Sequence, residues 1–172
     1  LYTYEIDQAM RRDFALLLPL CLLIVSLLLY WVFRRLYYVI VSLAIMAVAL
    51  IWTFGLMGMA GVSFSVVTAM TPVILLPIGV AGAIHVFRTF SRNHTRHPSE
   101  SRHSLIQMTF RELLKPIFLS AVTTFFGFAS FAFSRTIWTR NFGIFTAIGV
   151  ALALLLSIVL LPIALHYDRR VP

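Results

Sequence analysis

The sequence predicts an all-α membrane protein, a polytopic bundle of five transmembrane helices. Of its 172 residues, 60% are hydrophobic and 12% are charged, and the mean hydropathy is +0.94. A typical soluble domain is roughly 25% charged, so a water-soluble fold of this composition would lack polar surface. Long uncharged runs, separated by short polar segments, indicate where the helices cross the hydrocarbon core.

The uncharged runs define five predicted spans: residues 14–33, 36–57, 66–87, 116–134 and 141–165. The first run extends about 30 Å as a helix, which is one hydrocarbon thickness. Residues 36–87 contain no Lys, Arg, Asp or Glu, and this run is long enough for two spans. The glycines and serines of residues 58–65 predict the break between them. We place Pro116 in the first turn of the fourth span, where a missing N–H costs nothing.

Three polar segments flank these spans. Residues 1–13 open the chain with Leu1 rather than methionine, and we expect the end of an extracytoplasmic domain or a linker in a longer polypeptide. Residues 88–115 predict a cytoplasmic loop followed by a short amphipathic helix on the membrane face. Residues 168–172 form a predicted cytoplasmic tail.

Lysines and arginines divide unevenly between the two sides of the predicted bundle. Four lie on the side of the N-terminus: Arg11, Arg12, Arg135 and Arg140. The other 10 of the 14 lie on the opposite side: Arg34, Arg35, Arg88, Arg92, Arg96, Arg102, Arg111, Lys115, Arg169 and Arg170. Because basic loops favour the cytoplasm, we expect the N-terminus outside and the C-terminus in the cytoplasm.

The same patterns argue against other function classes. The net charge of +8 does not indicate nucleic-acid binding, because the basic residues flank apolar runs. There is no Gly-rich phosphate loop, no Ser/His/Asp set and no paired carboxylates, so we expect neither an enzyme nor a cofactor. We expect no metal site either: Cys21 is the only cysteine, and three loop histidines have no acidic or cysteine partners at ligand spacing. These are His94, His97 and His103.

Polar side chains inside the predicted spans are the candidates for a transport path. No Asp, Glu, Lys or Arg lies in any span, and the nearest candidate for a proton carrier is His85, close to the cytoplasmic end of the third span. This histidine either relays a proton or donates a hydrogen bond between helices. Thr123 and Thr124 either line a polar path or tie helices together.

Glycines mark the candidate packing faces of the last three spans. Small residues allow helix backbones to approach closely in a membrane, so we expect these spans to pack through Gly79, Gly82, Gly127, Gly143 and Gly149. Pro72 and Pro77 are expected to kink the third span.

Three segments resemble one known family. Residues 115–128, K-P-I-F-L-S-A-V-T-T-F-F-G-F, resemble the P-I-L-x-S-x-x-T-T-x-x-G-F helix of the resistance-nodulation-division (RND) superfamily, which includes MMPL-type and sterol-sensing-domain relatives. Residues 140–149, continuing to Leu161-Pro162, resemble the next helix of that family. Residues 79–85, G-V-A-G-A-I-H, resemble its G-V-D-Y-A-I-H or G-V-A-D-S-I-H segment. The resemblance implies helices two to six of a six-helix half.

The resemblance also implies a function, although the sequence departs from the family's pattern at one place. It implies part of an exporter of hydrophobic or lipid-like molecules in the bacterial inner (plasma) membrane. A second transmembrane half, extracytoplasmic domains of the same or a partner chain, and a possible homo-oligomer would complete it. The alternatives are a sterol-sensing-type lipid-binding regulatory domain and a protein-export accessory subunit. Ala81 and Gly82 stand where proton-coupled members carry aspartate, so this half lacks the family's main proton carrier.

Overall fold

The computed structural model describes the backbone of residues 2–167 and the side chains of residues 16–167. Its helices are α1 (Tyr2–Phe33), α2 (Leu36–Met59), α3 (Thr71–Arg96), α4 (Arg102–Ala129) and α5 (Ile137–Tyr167). Each contains a segment long and apolar enough to cross a membrane. The described residues contain no strand, so the predicted all-α bundle of five membrane helices is confirmed. The predicted tail, residues 168–172, lies outside the described residues.

The turns between the first three helices follow local backbone chemistry. Arg34 adopts a positive φ of 52° between α1 and α2. After α2, Gly61 adopts a φ of 67°, and its N–H donates to the carbonyl of Gly58 at 3.0 Å. Glycine reaches this left-handed conformation without a Cβ clash. The break therefore falls at residues 60–67, which overlaps the predicted residues 58–65.

The junction of α3 and α4 differs from the prediction. Residues 88–96 continue α3 and residues 102–115 begin α4, so the expected loop and separate surface helix are replaced by one short turn. Ser101 starts α4, because its hydroxyl accepts a hydrogen bond from the N–H of Ser104 at 3.3 Å. Straight-chain residues then favour helix throughout residues 102–115.

Two proline predictions change with these boundaries. Pro116 lies inside α4 rather than in its first turn, because α4 begins at Arg102. Pro72 lies in the first turn of α3, which leaves Pro77 as the interior proline of that helix. A proline in a first turn interrupts no helical hydrogen bond, so the expectation that Pro72 kinks the helix was wrong.

Helix α5 is the packed centre of the bundle, and it contacts α2, α3 and α4. Twelve of its residues are buried, against three of α4: Leu105, Ile106 and Thr109. Polar contacts join the helices at the end that carries most arginines. Arg92 of α3 pairs with Glu112 of α4, and the Arg102 Nε–H donates to the carbonyl of Leu165 at 2.8 Å.

A candidate ligand cavity between three helices

A cavity of about 360 Å³ lies between α3, α4 and α5. Each helix contributes one wall. The α3 wall includes Gly79, Ala81, Gly82 and His85; the α4 wall includes Leu113, Ile117, Ser120 and Ala121; the α5 wall includes Ala153, Leu154, Ser157 and Leu161. The volume falls within the range of small-molecule sites.

Small residues leave this space open. A Cβ built on Gly82 would meet no atom within 4 Å, and Ala81, Ala121 and Ala153 add only a methyl group each. Helix α4 does not close the gap, because its buried residues all lie near its start, before the residues that line the cavity. The cavity therefore exists because α3 has several small residues here, and because α4, which lies opposite, is loosely packed.

Three polar side chains interrupt the apolar walls. His85 lies one helical turn beyond Ala81, on the same face of α3, and its side chain is exposed. Within the described residues the His85 ring makes no hydrogen bond to another residue. Ser120 on α4 and Ser157 on α5 complete the set. An apolar molecule with one hydroxyl or similar polar group matches such a lining.

Thr123 and Thr124 are not brought to this cavity. Both hydroxyls donate to the carbonyl of Ser120 in their own helix, each at 2.8 Å. Neither side chain lines the cavity. Because their hydroxyl hydrogens are already engaged, these residues offer a ligand only their oxygen lone pairs.

The five candidate packing glycines divide into two groups. A Cβ on Gly143 would lie 2.6 Å from the carbonyl oxygen of Phe128 at the end of α4, and a Cβ on Gly149 would lie 2.5 Å from Leu75 Cδ1 of α3. Gly79 abuts the side chain of Met46 on α2, a neighbour outside the expected set. Gly82 and Gly127 meet no atom within 4 Å. Close approach therefore applies to three of the five.

Sequence reasoning missed two buried hydroxyls, those of Thr53 and Thr71, and the pairing of Thr71 with Thr146. Thr71 of α3 and Thr146 of α5 are 2% and 0% exposed, and their hydroxyl oxygens lie 3.2 Å apart. Thr53 of α2 is equally buried, and its hydroxyl donates to the carbonyl of Ala49 at 2.7 Å. Isolated threonines in apolar runs were the available signal, but one sequence does not show which helices pair.

A protein-family profile described as Patched SSD matches residues 14–167. No curated protein matches the chain. The matched region contains all five helices' membrane-crossing segments and every residue that lines the cavity. It also confirms the resemblance to the sterol-sensing relatives of the RND superfamily. The chain therefore belongs to the Patched family, and residues 14–167 form its sterol-sensing-like membrane domain.

Proposed function

We propose that the chain forms one membrane half of an exporter, and that the cavity between α3, α4 and α5 holds its lipid-like substrate. The observation that carries this proposal is the cavity itself, with apolar walls and three dispersed polar groups. Burying a charged solute there would be costly without a counter-charge. A sterol or similar molecule, with one hydroxyl on an apolar body, needs only the hydrogen bonds of His85, Ser120 or Ser157. No catalytic step is proposed.

Photo-crosslinking tests the substrate class directly. The full-length protein, in its membrane, is treated with a photoactivatable sterol and digested, and the labelled peptides are identified. Labelling concentrated in residues 78–86, 113–121 and 150–161, and reduced by excess unlabelled sterol, supports the proposal. Labelling spread over the exposed leucines of α1 would contradict it, because those residues contact any membrane lipid.

A regulatory lipid-binding domain without transport is the second candidate. It is favoured by Ala81 and Gly82, which line the cavity where proton-coupled relatives of the wider superfamily carry aspartate. Desolvation raises the pKa of a carboxyl group toward physiological pH, which suits it to carry protons. In our proposal the other half of the transporter supplies that group.

Transport by the intact protein separates these two candidates. In His85→Ala we expect export of the lipid to remain driven by protons, because coupling lies in the partner half, while the loss of one hydrogen-bonding group weakens lipid binding. Loss of coupling in that variant, with sterol labelling retained, would identify His85 as a relay in this half. No export by the wild-type protein, with labelling intact, would favour the regulatory domain. A protein-export accessory role, the third candidate, predicts no sterol labelling of the cavity.

We further propose that the turn between α3 and α4 lies in the cytoplasm of a bacterial inner (plasma) membrane, with the N-terminus outside. The 10-to-4 bias of basic residues supports this orientation. In a Cys21→Ala background, His97→Cys should resist an impermeant thiol reagent in intact cells and react after permeabilisation. Reaction in intact cells would reverse the orientation.

The proposed partners are the bilayer, a second transmembrane half and extracytoplasmic domains. The membrane-crossing part of α4 supports the second half as a neighbour. Its most apolar stretch has no buried residue, and Phe118, Leu119 and Phe126 are more than half exposed. A homo-oligomer is the alternative way to cover the same face.

A further inference from the structure

A second cavity, of about 560 Å³, lies at the arginine-bearing end of the bundle. It is separate from the cavity described above and shares no residue with it. Its walls come from the junction of α1 with α2 and from the last turns of α3. The residues that matter here are Phe33, Arg35, Tyr38, Arg88, Arg92 and Thr95.

Positive charge converges on this second cavity. Arg88 and Arg92 are four residues apart, so they share one face of α3, and Arg35 approaches from the start of α2. Arg92 pairs with Glu112. Arg88 is exposed and forms no ion pair within the described residues. Among residues 16–167 the only acidic side chains are Glu100 and Glu112, and the second of these already pairs with Arg92.

The base of the cavity is aromatic and fixed in place. The ring of Phe33 makes edge contacts with Tyr38 and Phe87, each at a centroid distance of 5.5 Å. The ring centroids of Tyr38 and Phe87 lie 4.4 Å apart, and these two residues are 9% and 2% exposed. An apolar base lowers the local dielectric, which strengthens the attraction of a guanidinium for an anion held above it.

The surroundings on α1 are those of a membrane interface. Arg34 lines a neighbouring recess with Leu27, Tyr30 and Trp31, and Trp31 is 78% exposed. Tryptophan and tyrosine favour the headgroup region of a bilayer. Beyond them, the exposed leucines of α1 offer a continuous apolar surface. An anion in the cavity therefore has room for acyl chains directly beside it.

We propose that this cavity binds the phosphate of an anionic phospholipid, with its acyl chains along α1. The planar guanidinium group of Arg88 matches the oxygens of a phosphate and donates paired hydrogen bonds to it. Arg35 is already engaged within the protein, and it adds a second positive charge to the cavity wall. Arg92 also lines the cavity and contributes its positive charge while it stays in its ion pair with Glu112. Basic cavities between transmembrane helices commonly receive such headgroups. This site is independent of the substrate cavity, so either assignment stands if the other fails.

Native mass spectrometry of the full-length protein tests the site. The protein is reconstituted with phosphatidylglycerol or with phosphatidylcholine, and bound lipid is counted after gentle release. We expect retention of phosphatidylglycerol, with its occupancy reduced about tenfold in the double variant Arg35→Gln/Arg88→Gln. The double variant Arg96→Gln/Arg111→Gln removes the same two charges from exposed positions that do not line this cavity, and it should leave occupancy within about twofold.

Three results would overturn the proposal. Equal loss in Arg96→Gln/Arg111→Gln would mean that diffuse surface charge retains the lipid. Equal retention of phosphatidylcholine would mean that negative charge is not recognised. Displacement of the lipid by millimolar inorganic phosphate would mean a site for a free anion rather than a lipid. If the double variant is not monodisperse, Arg88→Gln alone, at an exposed position, replaces it and should lower occupancy more than Arg88→Lys does.

Discussion

Helices α4 and α5 are both long and apolar, yet they occupy opposite environments. Twelve residues of α5 are buried, and only three of α4, all in its first third. On α5, Gly143 and Gly149 sit where a methyl group would meet a neighbouring helix, whereas Gly82 of α3 and Gly127 of α4 meet no atom within 4 Å. The same residue type therefore marks close packing at two positions and open space at two others. Of the two open positions, Gly82 lines the cavity where a ligand fits.

The largest stability effect should come from adding one methyl group at the packed seam. Gly143→Ala places a Cβ 2.6 Å from the backbone carbonyl oxygen of Phe128, and a backbone atom does not rotate away. We expect a loss of about 1–3 kcal/mol in the free energy of unfolding, measured by denaturant titration in micelles. Gly127→Ala is the control, because its Cβ enters open space and alanine favours helix. Equal effects of both variants would remove the distinction between the two regions.

The buried hydroxyl pair should give a smaller effect at the packed seam. Replacing either Thr71 or Thr146 by valine leaves the other hydroxyl without its 3.2 Å partner. We expect a coupling energy of about 0.5–1.5 kcal/mol in a double-mutant cycle. A coupling near zero would show that packing alone joins α3 and α5 at this point.

The smallest effect is expected on α4. Thr123→Val and Thr124→Val each remove a hydroxyl that bonds only to the carbonyl of Ser120 in its own helix. We expect changes below about 0.5 kcal/mol in the free energy of unfolding and unchanged sterol labelling. A large loss of labelling in either variant would return these threonines to the ligand path.

The sequence was sufficient for the class of fold and for most boundaries, because a charge inside the hydrocarbon is costly and so marks where spans end. It failed where the chain leaves the membrane while remaining helical. The sequence predicted a loop and a surface helix for residues 88–96 and 102–115, which instead extend α3 and α4. The Arg92–Glu112 ion pair and the hydrogen bond from Arg102 to the carbonyl of Leu165 join these helix extensions to neighbouring helices.

The candidate site was predictable only in part. His85 was found by its position within the motif of residues 79–85, and it lines the cavity. Gly82 lines the cavity too, but the sequence predicted it as a packing contact, and a Cβ there meets no atom within 4 Å. Thr123 and Thr124 were misleading, because periodicity gives the face of a helix but not the neighbour that the face meets. Thr53, Thr71 and Thr146 required the packing of three helices, which no local pattern encodes.

Filling the cavity tests the central claim most directly, and it uses the photoactivatable sterol on the full-length protein. Gly82→Phe places a ring in the space that a Cβ at Gly82 leaves empty, whereas Gly127→Phe adds the same ring at an equally open position away from the cavity. We predict that Gly82→Phe lowers labelling of residues 78–86 and 113–121 by about tenfold or more, and that Gly127→Phe leaves it unchanged. Equal labelling in the two variants would contradict the assignment of this cavity as the ligand site.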